Sequence, residues 1–380
     1  MSRIEWRTFN SDGRRRVVVT KELPGDRWLE ILKAADCRVE ICTSDDVLSI
    51  EEIKSVIGNS CNAAIGQLTE DWGNELFAAL KSAGGTAYSN YAVGFNNIDL
   101  NAATKHGIPV GNTPGVLTET TAEMAVALTF AVARRTGEAE RFMRAGKYHG
   151  WLPTLFVGEL LQGKTVGIIG AGRIGSAYGK MMVEGHKMNL VYFDLYQNKE
   201  LEDYISSYSQ FLVSKGENAV TCQKADTVED LLKIADCVSI HTVLDDTTHH
   251  LINSERLNLM KENALLINTS RGPVIEEAAL VKHCQHHPNF KAGLDVFEKE
   301  PAMAAGLAEL DNVVIVPHIA SATLWTRSGM ATMAASNVAA LLNGYPVWNK
   351  PEVLMFLEKD APKAAPSILN AKELKLALHS

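Results

Sequence analysis

The sequence predicts an α/β protein of two lobes, and three observations carry the prediction. The chain has 380 residues, enough for two units of about 100–200 residues each. Short β-branched runs alternate with helical stretches, as βαβ units wound into a parallel sheet require. One of those runs opens into a glycine turn and then a helix, Val166-Gly167-Ile168-Ile169-Gly170-Ala171-Gly172-Arg173-Ile174-Gly175.

Taken in order, the apolar runs are Arg16 to Thr20, Val166 to Ile169, Leu190 to Phe193, Val238 to Ile240, Ala264 to Ile267 and Val313 to Val316. Near-continuous runs of this kind suit central strands covered by helices on both faces. Thr120-Thr121-Ala122-Glu123 reads as a capping box that starts a helix with Thr120 as its N-cap. That helix runs on to Ala133 and is apolar nearly all round. It is expected to be buried, either between two lobes or subunits or in the core of one domain. From Lys359 onward, Pro362 and Pro366 interrupt the chain and no period is visible before Glu373. This predicts an extension packed loosely on the surface.

Composition narrows the function classes. There are 37 Lys and Arg against 45 Asp and Glu, a net charge of −8. Such an acidic chain is not expected to bind nucleic acid broadly or to cling to anionic membranes. The apolar stretch from Met124 ends at Arg134-Arg135, well short of the ~20 residues of a membrane helix. The first residues have no apolar signal core, and Glu5 and Asp12 spoil a basic presequence. The six cysteines form no C-x-x-C, which predicts buried free thiols and no metal site.

The glycine turn carries the first chemistry. Gly170 permits the tight turn, Gly172 lets backbone approach a pyrophosphate, and Gly175 lets helix and strand pack closely. The helix beginning at Arg173 and Ile174 offers free N–H groups and a positive dipole end to phosphates. Asp194 lies 24 residues after Gly170 at the end of the next apolar run, where an acid binds ribose hydroxyls. A carboxylate there repels a 2′-phosphate, and no Arg follows in Leu195 to Asn198. NAD(H) is therefore expected over NADP(H).

Three further segments close on strand ends: Asn268-Thr269-Ser270-Arg271-Gly272-Pro273, Gly293-Leu294-Asp295-Val296-Phe297 with Glu300-Pro301, and Pro317-His318-Ile319-Ala320. Singly, each has an ordinary reading as a surface cation, a solvated acid or a structural histidine. Together they suit one reaction. An Arg fork grips a carboxylate, a His exchanges a proton near neutral pH, and an acid orients the imidazole and favours its charged form.

These four segments, in this order and spacing, resemble the D-isomer-specific 2-hydroxyacid dehydrogenases over almost the whole chain. The stretches Gly66 to Gly73, Gly111 to Thr120 and Arg173 to Tyr178 resemble the hydroxypyruvate-reducing branch of that family. The resemblance implies a Rossmann coenzyme domain, 114–320, inserted into a flavodoxin-like substrate domain made of 1–113 and 321–380. It implies Arg271 on the substrate's carboxylate and 2-oxo group, His318 as proton donor and Glu300 as its partner. Amides around Val93 and Gly94 would hold the carboxylate, with the domains closing to exclude water. Thr269 and Asp295 would face the nicotinamide, together with His318 and Ala320. The stretch His241 to Thr247 would pass under the adenosine, with Thr242 and Thr247 as contacts, although relatives often carry Pro at the Thr242 position. Trp151 would be lent to a neighbouring subunit's pocket, or would simply pack the hinge.

The activity implied is NADH-dependent reduction of hydroxypyruvate to D-glycerate, with glyoxylate as a second small-molecule substrate. The assembly implied is a homodimer, in the cytosol or the peroxisome. The last residues, Ala377-Leu378-His379-Ser380, do not match a Ser-Lys-Leu address. Glu300 stands where formate dehydrogenases of the superfamily carry Gln, which points to a carbonyl–alcohol reaction. Other members of the family, or a dinucleotide-sensing corepressor on the same fold, remain open at this point.

Overall fold

The computed structural model describes residues 4–379. The chain divides into two units, Met1–Leu117 with Ala322–Ser380, and Thr118–Ser321. The divisions fall a few residues from the 113/114 and 320/321 of the sequence reading. Val116 belongs to the first unit's core beside Met330, whereas Thr118 already opens a helix of the second.

Among the described residues the first unit has six strands: β1 (Trp6–Phe9), β2 (Arg15–Val19), β3 (Cys37–Cys42), β4 (Ala63–Gly66), β5 (Ala87–Asn90) and β6 (Val110–Gly111). Their order is β1-β3-β2-β4-β5-β6, with β1 antiparallel to β3 and the other pairings parallel. The parallel part is the flavodoxin-like winding. The helix Leu324–Leu342 packs on β4, β5 and the helix Arg27–Ala34. Its buried face is rich in Ala, Gly and Met, so other backbone comes close to it.

The second unit has seven strands, all parallel: β7 (Thr165–Ile169), β8 (Asn189–Phe193), β9 (Cys222–Lys224), β10 (Cys237–Ile240), β11 (Leu265–Asn268), β12 (Lys291–Leu294) and β13 (Val313–Ile315). The order β13-β12-β11-β10-β7-β8-β9 reverses direction at β7, which lies between β8 and β10. Ligands of doubly wound sheets bind at such a reversal, outside the carboxyl ends of the strands.

Two expectations need correction. The helix expected to start at Thr120 spans Thr118–Ala133, so Thr120 and Glu123 lie inside it and form no N-terminal cap. It packs on β11, β12 and the helix Arg173–His186. Ala125, Leu128, Thr129 and Val132 are buried, while Glu123 and Ala127 are exposed. It is thus a core helix of one unit with an outer face.

The segment after Lys359 is not loosely packed. Ala364, Ala365, Ile368, Asn370 and Ala371 are all buried. Leu369 donates to the carbonyl of Val110 (2.8 Å), and Ile368 bridges Gly111 antiparallel. The segment extends the sheet beyond β6 without a periodic pattern, because it buries a few small side chains and not a face.

Five of the six cysteines are buried and Cys222 is half-buried. Burial pushes the Cys61 thiol up to about 11 and the Cys284 thiol up to about 12. No described helix is long and apolar enough to cross a membrane.

Candidate active site

In the second unit the glycine turn leaves β7 at the point of reversal. Gly170 has φ +93°, and a Cβ there would lie 2.8 Å from the carbonyl carbon of His241. A Cβ on Gly175 would meet the Gly170 oxygen at 2.1 Å. A Cβ on Gly172 would meet nothing within 4 Å. The turn is therefore closed on its inner side and open on its outer side. Gly172 caps the 14-residue helix Arg173–His186 without a side-chain hydrogen bond. First-turn amides, at Arg173 and Ile174, are left to an anion.

Asp194 stands at the end of β8. Its oxygens accept from the amides of Ala171 (2.8 Å) and Tyr196 (3.2 Å). The carboxylate thus braces the glycine turn, a role the sequence reading did not foresee. Thr242 follows β10, with its amide close against Gly170. The Thr247 hydroxyl donates to Asp245 (2.6 Å) in an exposed turn. The Thr269 hydroxyl, just past β11, is buried and has no partner among the described residues. An open glycine turn, an uncapped helix start and an orphaned hydroxyl beyond the strand ends fit a dinucleotide.

The same strand ends assemble the three catalytic candidates. Asn268 closes β11 and is fully buried. Its amide donates to the Arg271 carbonyl (2.9 Å) and its oxygen accepts from the Ser270 amide (2.9 Å), folding the turn that presents Arg271. Gly272 lets this turn press against the next: a Cβ there would lie 1.8 Å from the Phe297 carbonyl oxygen. That loop holds Glu300 through two anchors. Its Phe297 amide donates to Glu300 (3.1 Å), and the buried Glu277 carboxylate accepts from the amides of Glu298 and Ala304 (2.6 Å each). Glu300 Oε2 meets Nδ1 of His318 at 2.9 Å.

His318 itself is held in the left-handed region, at φ +53°. Such a conformation costs a non-glycine residue about 1 kcal/mol or more and persists only when neighbours impose it. The neighbour is Asp295, fully buried after β12. Its carbonyl accepts from the His318 amide (2.9 Å), and its carboxylate accepts from Ile319 (2.6 Å) and Ala320 (2.9 Å). Asp295 was expected to face the nicotinamide; both its oxygens here bind the turn that carries His318.

The electrostatics agree with this assembly. Burial pushes the Glu300 carboxyl up, but the His318 bond and charge, the Phe297 amide and the Arg271 charge outweigh it, and the net shift is down. Burial pulls the Arg271 guanidinium down while Glu300 opposes it. Desolvation takes His241, after β10, down to about 3, which favours its neutral form.

The first unit supplies a candidate of a different kind. After β5 the carbonyls of Ala92, Val93 and Gly94 are each taken up, by the Thr113 amide (2.9 Å), the Asn112 side chain (2.9 Å) and the Asn90 side chain (3.1 Å). In a trans peptide the N–H points opposite to its carbonyl. The amides of Val93, Gly94 and Phe95 are therefore turned the other way, and none has a partner among the described residues. Successive free amides of this kind form an anion-binding concavity. Trp151 joins none of these groups. It is 79% exposed, and Leu152, Val157 and Leu160, which follow it in the chain, are exposed too.

Comparison with known proteins completes the description. Residues 126–320 match the family described as D-isomer specific 2-hydroxyacid dehydrogenase, NAD binding domain. The chain is 58% identical over 375 residues to the glycerate dehydrogenase of Cucumis sativus, covering 98% of each chain. It is 58% identical over 372 residues to the peroxisomal glycerate dehydrogenase HPR of Arabidopsis thaliana, covering 97% of this chain and 96% of the other. The solved structure of the TT0316 protein of Thermus thermophilus has a TM-score of 0.78 at 34% identity, covering 93% of this chain and 99% of that one. With a glycine turn open to a dinucleotide and an arginine, a glutamate and a histidine gathered at the strand ends, the chain belongs to the D-isomer-specific 2-hydroxyacid dehydrogenases, and NAD is its coenzyme.

Proposed function

We propose that the enzyme reduces hydroxypyruvate to D-glycerate, with glyoxylate to glycolate as a secondary activity. The observation that carries the reading is the His318–Glu300 pair, 2.9 Å apart with the Arg271 charge beside it, in a chain so similar to glycerate dehydrogenases. The Arg271 fork holds the substrate's carboxylate and 2-oxo oxygen in one plane. In the first unit the free amides at Val93 and Gly94 are suited to hold a carboxylate. The chemistry that the bound dinucleotide supplies is hydride transfer to C2. His318 gives its proton to the carbonyl oxygen as that oxygen gains charge, and Glu300 steadies the charged imidazole beforehand. Gly170, Gly172, Arg173, Ile174 and Gly175 take the pyrophosphate, and Asp194 reads the ribose beyond it. Thr269 and Ala320 lie toward the nicotinamide.

The same reading makes the enzyme a homodimer. It is supported by the exposed apolar residues Trp151, Leu152, Val157 and Leu160, with Trp151 offered to the partner's pocket. The compartment is the cytosol or the peroxisome, which imaging of a tagged chain separates. The test of the activity is NADH oxidation with hydroxypyruvate, glyoxylate, pyruvate and 3-phosphohydroxypyruvate, repeated with NADPH. The highest kcat/KM is expected for hydroxypyruvate with NADH. A preference for pyruvate or the phosphorylated acid would overturn the substrate assignment.

A further inference from the structure

We infer that the C-terminal segment around Ser367 is a positioning element for the substrate's carboxylate, acting through Asn112. The inference rests on the reading of the Val93–Gly94 amides as the carboxylate's holders. Asn112 stands just past β6, 5% exposed, and its side-chain amide donates to the Val93 carbonyl at 2.9 Å. That bond turns the Gly94 amide outward.

What holds Asn112 comes from far along the chain. Its side-chain oxygen accepts from the Ser367 hydroxyl (2.6 Å), and its amide donates to the Ser367 carbonyl (3.3 Å). Its own carbonyl accepts from Asn337 (2.9 Å), a fully buried residue of the helix Leu324–Leu342. Asn337 in turn accepts from the Ser367 amide (2.9 Å). A primary amide can face either way, and only one orientation places its NH2 toward Val93. The Ser367 hydroxyl bonds the oxygen end and so favours that orientation. Without it, a buried acceptor is left unpaired and the side chain is free to turn away from Val93.

One other anchor of the segment makes no bond to this relay. Asn370 bonds the Val110 amide (2.9 Å), the Ile108 carbonyl (3.0 Å) and the Thr104 hydroxyl (3.1 Å). Removing Asn370 loosens the segment at a different point, so the two residues separate a role in catalysis from a role in stability.

The test compares Ser367→Ala, Ser367→Thr and Asn370→Ala with the wild type, by steady-state kinetics, NADH binding and melting temperature. Ser367→Ala is expected to raise KM for hydroxypyruvate about five- to tenfold, the worth of one hydrogen bond. KM for glyoxylate should rise by the same factor, because the carboxylate is the group both substrates share. NADH affinity and kcat should stay within twofold. Ser367→Thr keeps the hydroxyl and should restore KM. Asn370→Ala should lower the melting temperature and leave KM within twofold. A Ser367→Ala enzyme with wild-type KM would overturn the inference alone, if the wild type reduces these acids well. A rise in KM that tracks the loss of melting temperature across Ser367→Ala and Asn370→Ala would also overturn it. A wild type with no activity on any 2-oxo acid would remove the functional reading and this inference together.

Discussion

The two units build binding chemistry from different materials. In Thr118–Ser321 the candidate reactive groups are side chains, Arg271, Glu300 and His318, set on consecutive strand ends. In the other unit the candidate groups are backbone amides at Val93 to Phe95, aimed by the side chains of Asn90 and Asn112. Side chains that carry protons and charge govern turnover. Amides that only receive an anion govern its capture. The comparison therefore predicts that damage to the second unit's groups appears mainly in kcat, and damage to the amides' supports mainly in KM.

The largest break in that comparison comes from His318→Ala. It should lower kcat by about 10²–10⁴, the usual worth of a positioned general acid, with NADH affinity nearly unchanged. Near-wild-type turnover across neutral pH would take His318 out of the mechanism. Arg271→Lys comes next, because a point charge on a flexible stem replaces a planar fork. The expected loss is about 2–4 kcal/mol in kcat/KM for hydroxypyruvate. Normal turnover of the folded fraction, with a lowered melting temperature, would mark Arg271 as structural.

Asp194→Ala has a double expectation. It should weaken NADH and narrow the preference over NADPH, read as the ratio of kcat/KM for the two. Because Asp194 also bonds the Ala171 and Tyr196 amides, the ratio, and not the absolute rate with NADPH, is the decisive quantity. An unchanged ratio would leave Asp194 as a brace only.

The smallest effect is a stability one. The Glu300 carboxyl titrates below its ordinary 4.5 in the folded chain. Its pairing thus stabilises the fold fully above that value and is lost as pH falls through the lower, folded one. The melting temperature of the wild type should exceed that of Glu300→Gln at pH 6, and the gap should close as the pH falls below 4.5. A gap that stays constant down to pH 3 would show that the charge on Glu300 contributes nothing.

The same contrast explains what the sequence discloses. Strands such as Leu190 to Phe193 are β-branched and aromatic and stand out. β4, Ala63–Gly66, and β12, Lys291–Leu294, hold small residues under close-packed helices and do not. Arg271, Glu300 and His318 are legible because they are side chains suited to proton and carboxylate chemistry within recognisable segments. Asn90 and Asn112 are not, because an asparagine that orients a neighbouring peptide looks like any turn residue. Asp295 was legible as a site residue but not as the support of the left-handed His318, which needs the turn's geometry. The packing of Ser367 on Asn112 joins residues 255 apart in sequence, and no local pattern announces it.

The central claim is that one face of a flat 2-oxo acid meets the hydride, because Arg271 fixes the plane of the carboxylate and carbonyl while His318 waits on the oxygen. The most direct test is the chirality of the glycerate formed from hydroxypyruvate and NADH by the purified enzyme, resolved on a chiral column. D-glycerate alone is expected. L-glycerate, or a mixture of the two, would contradict the claim.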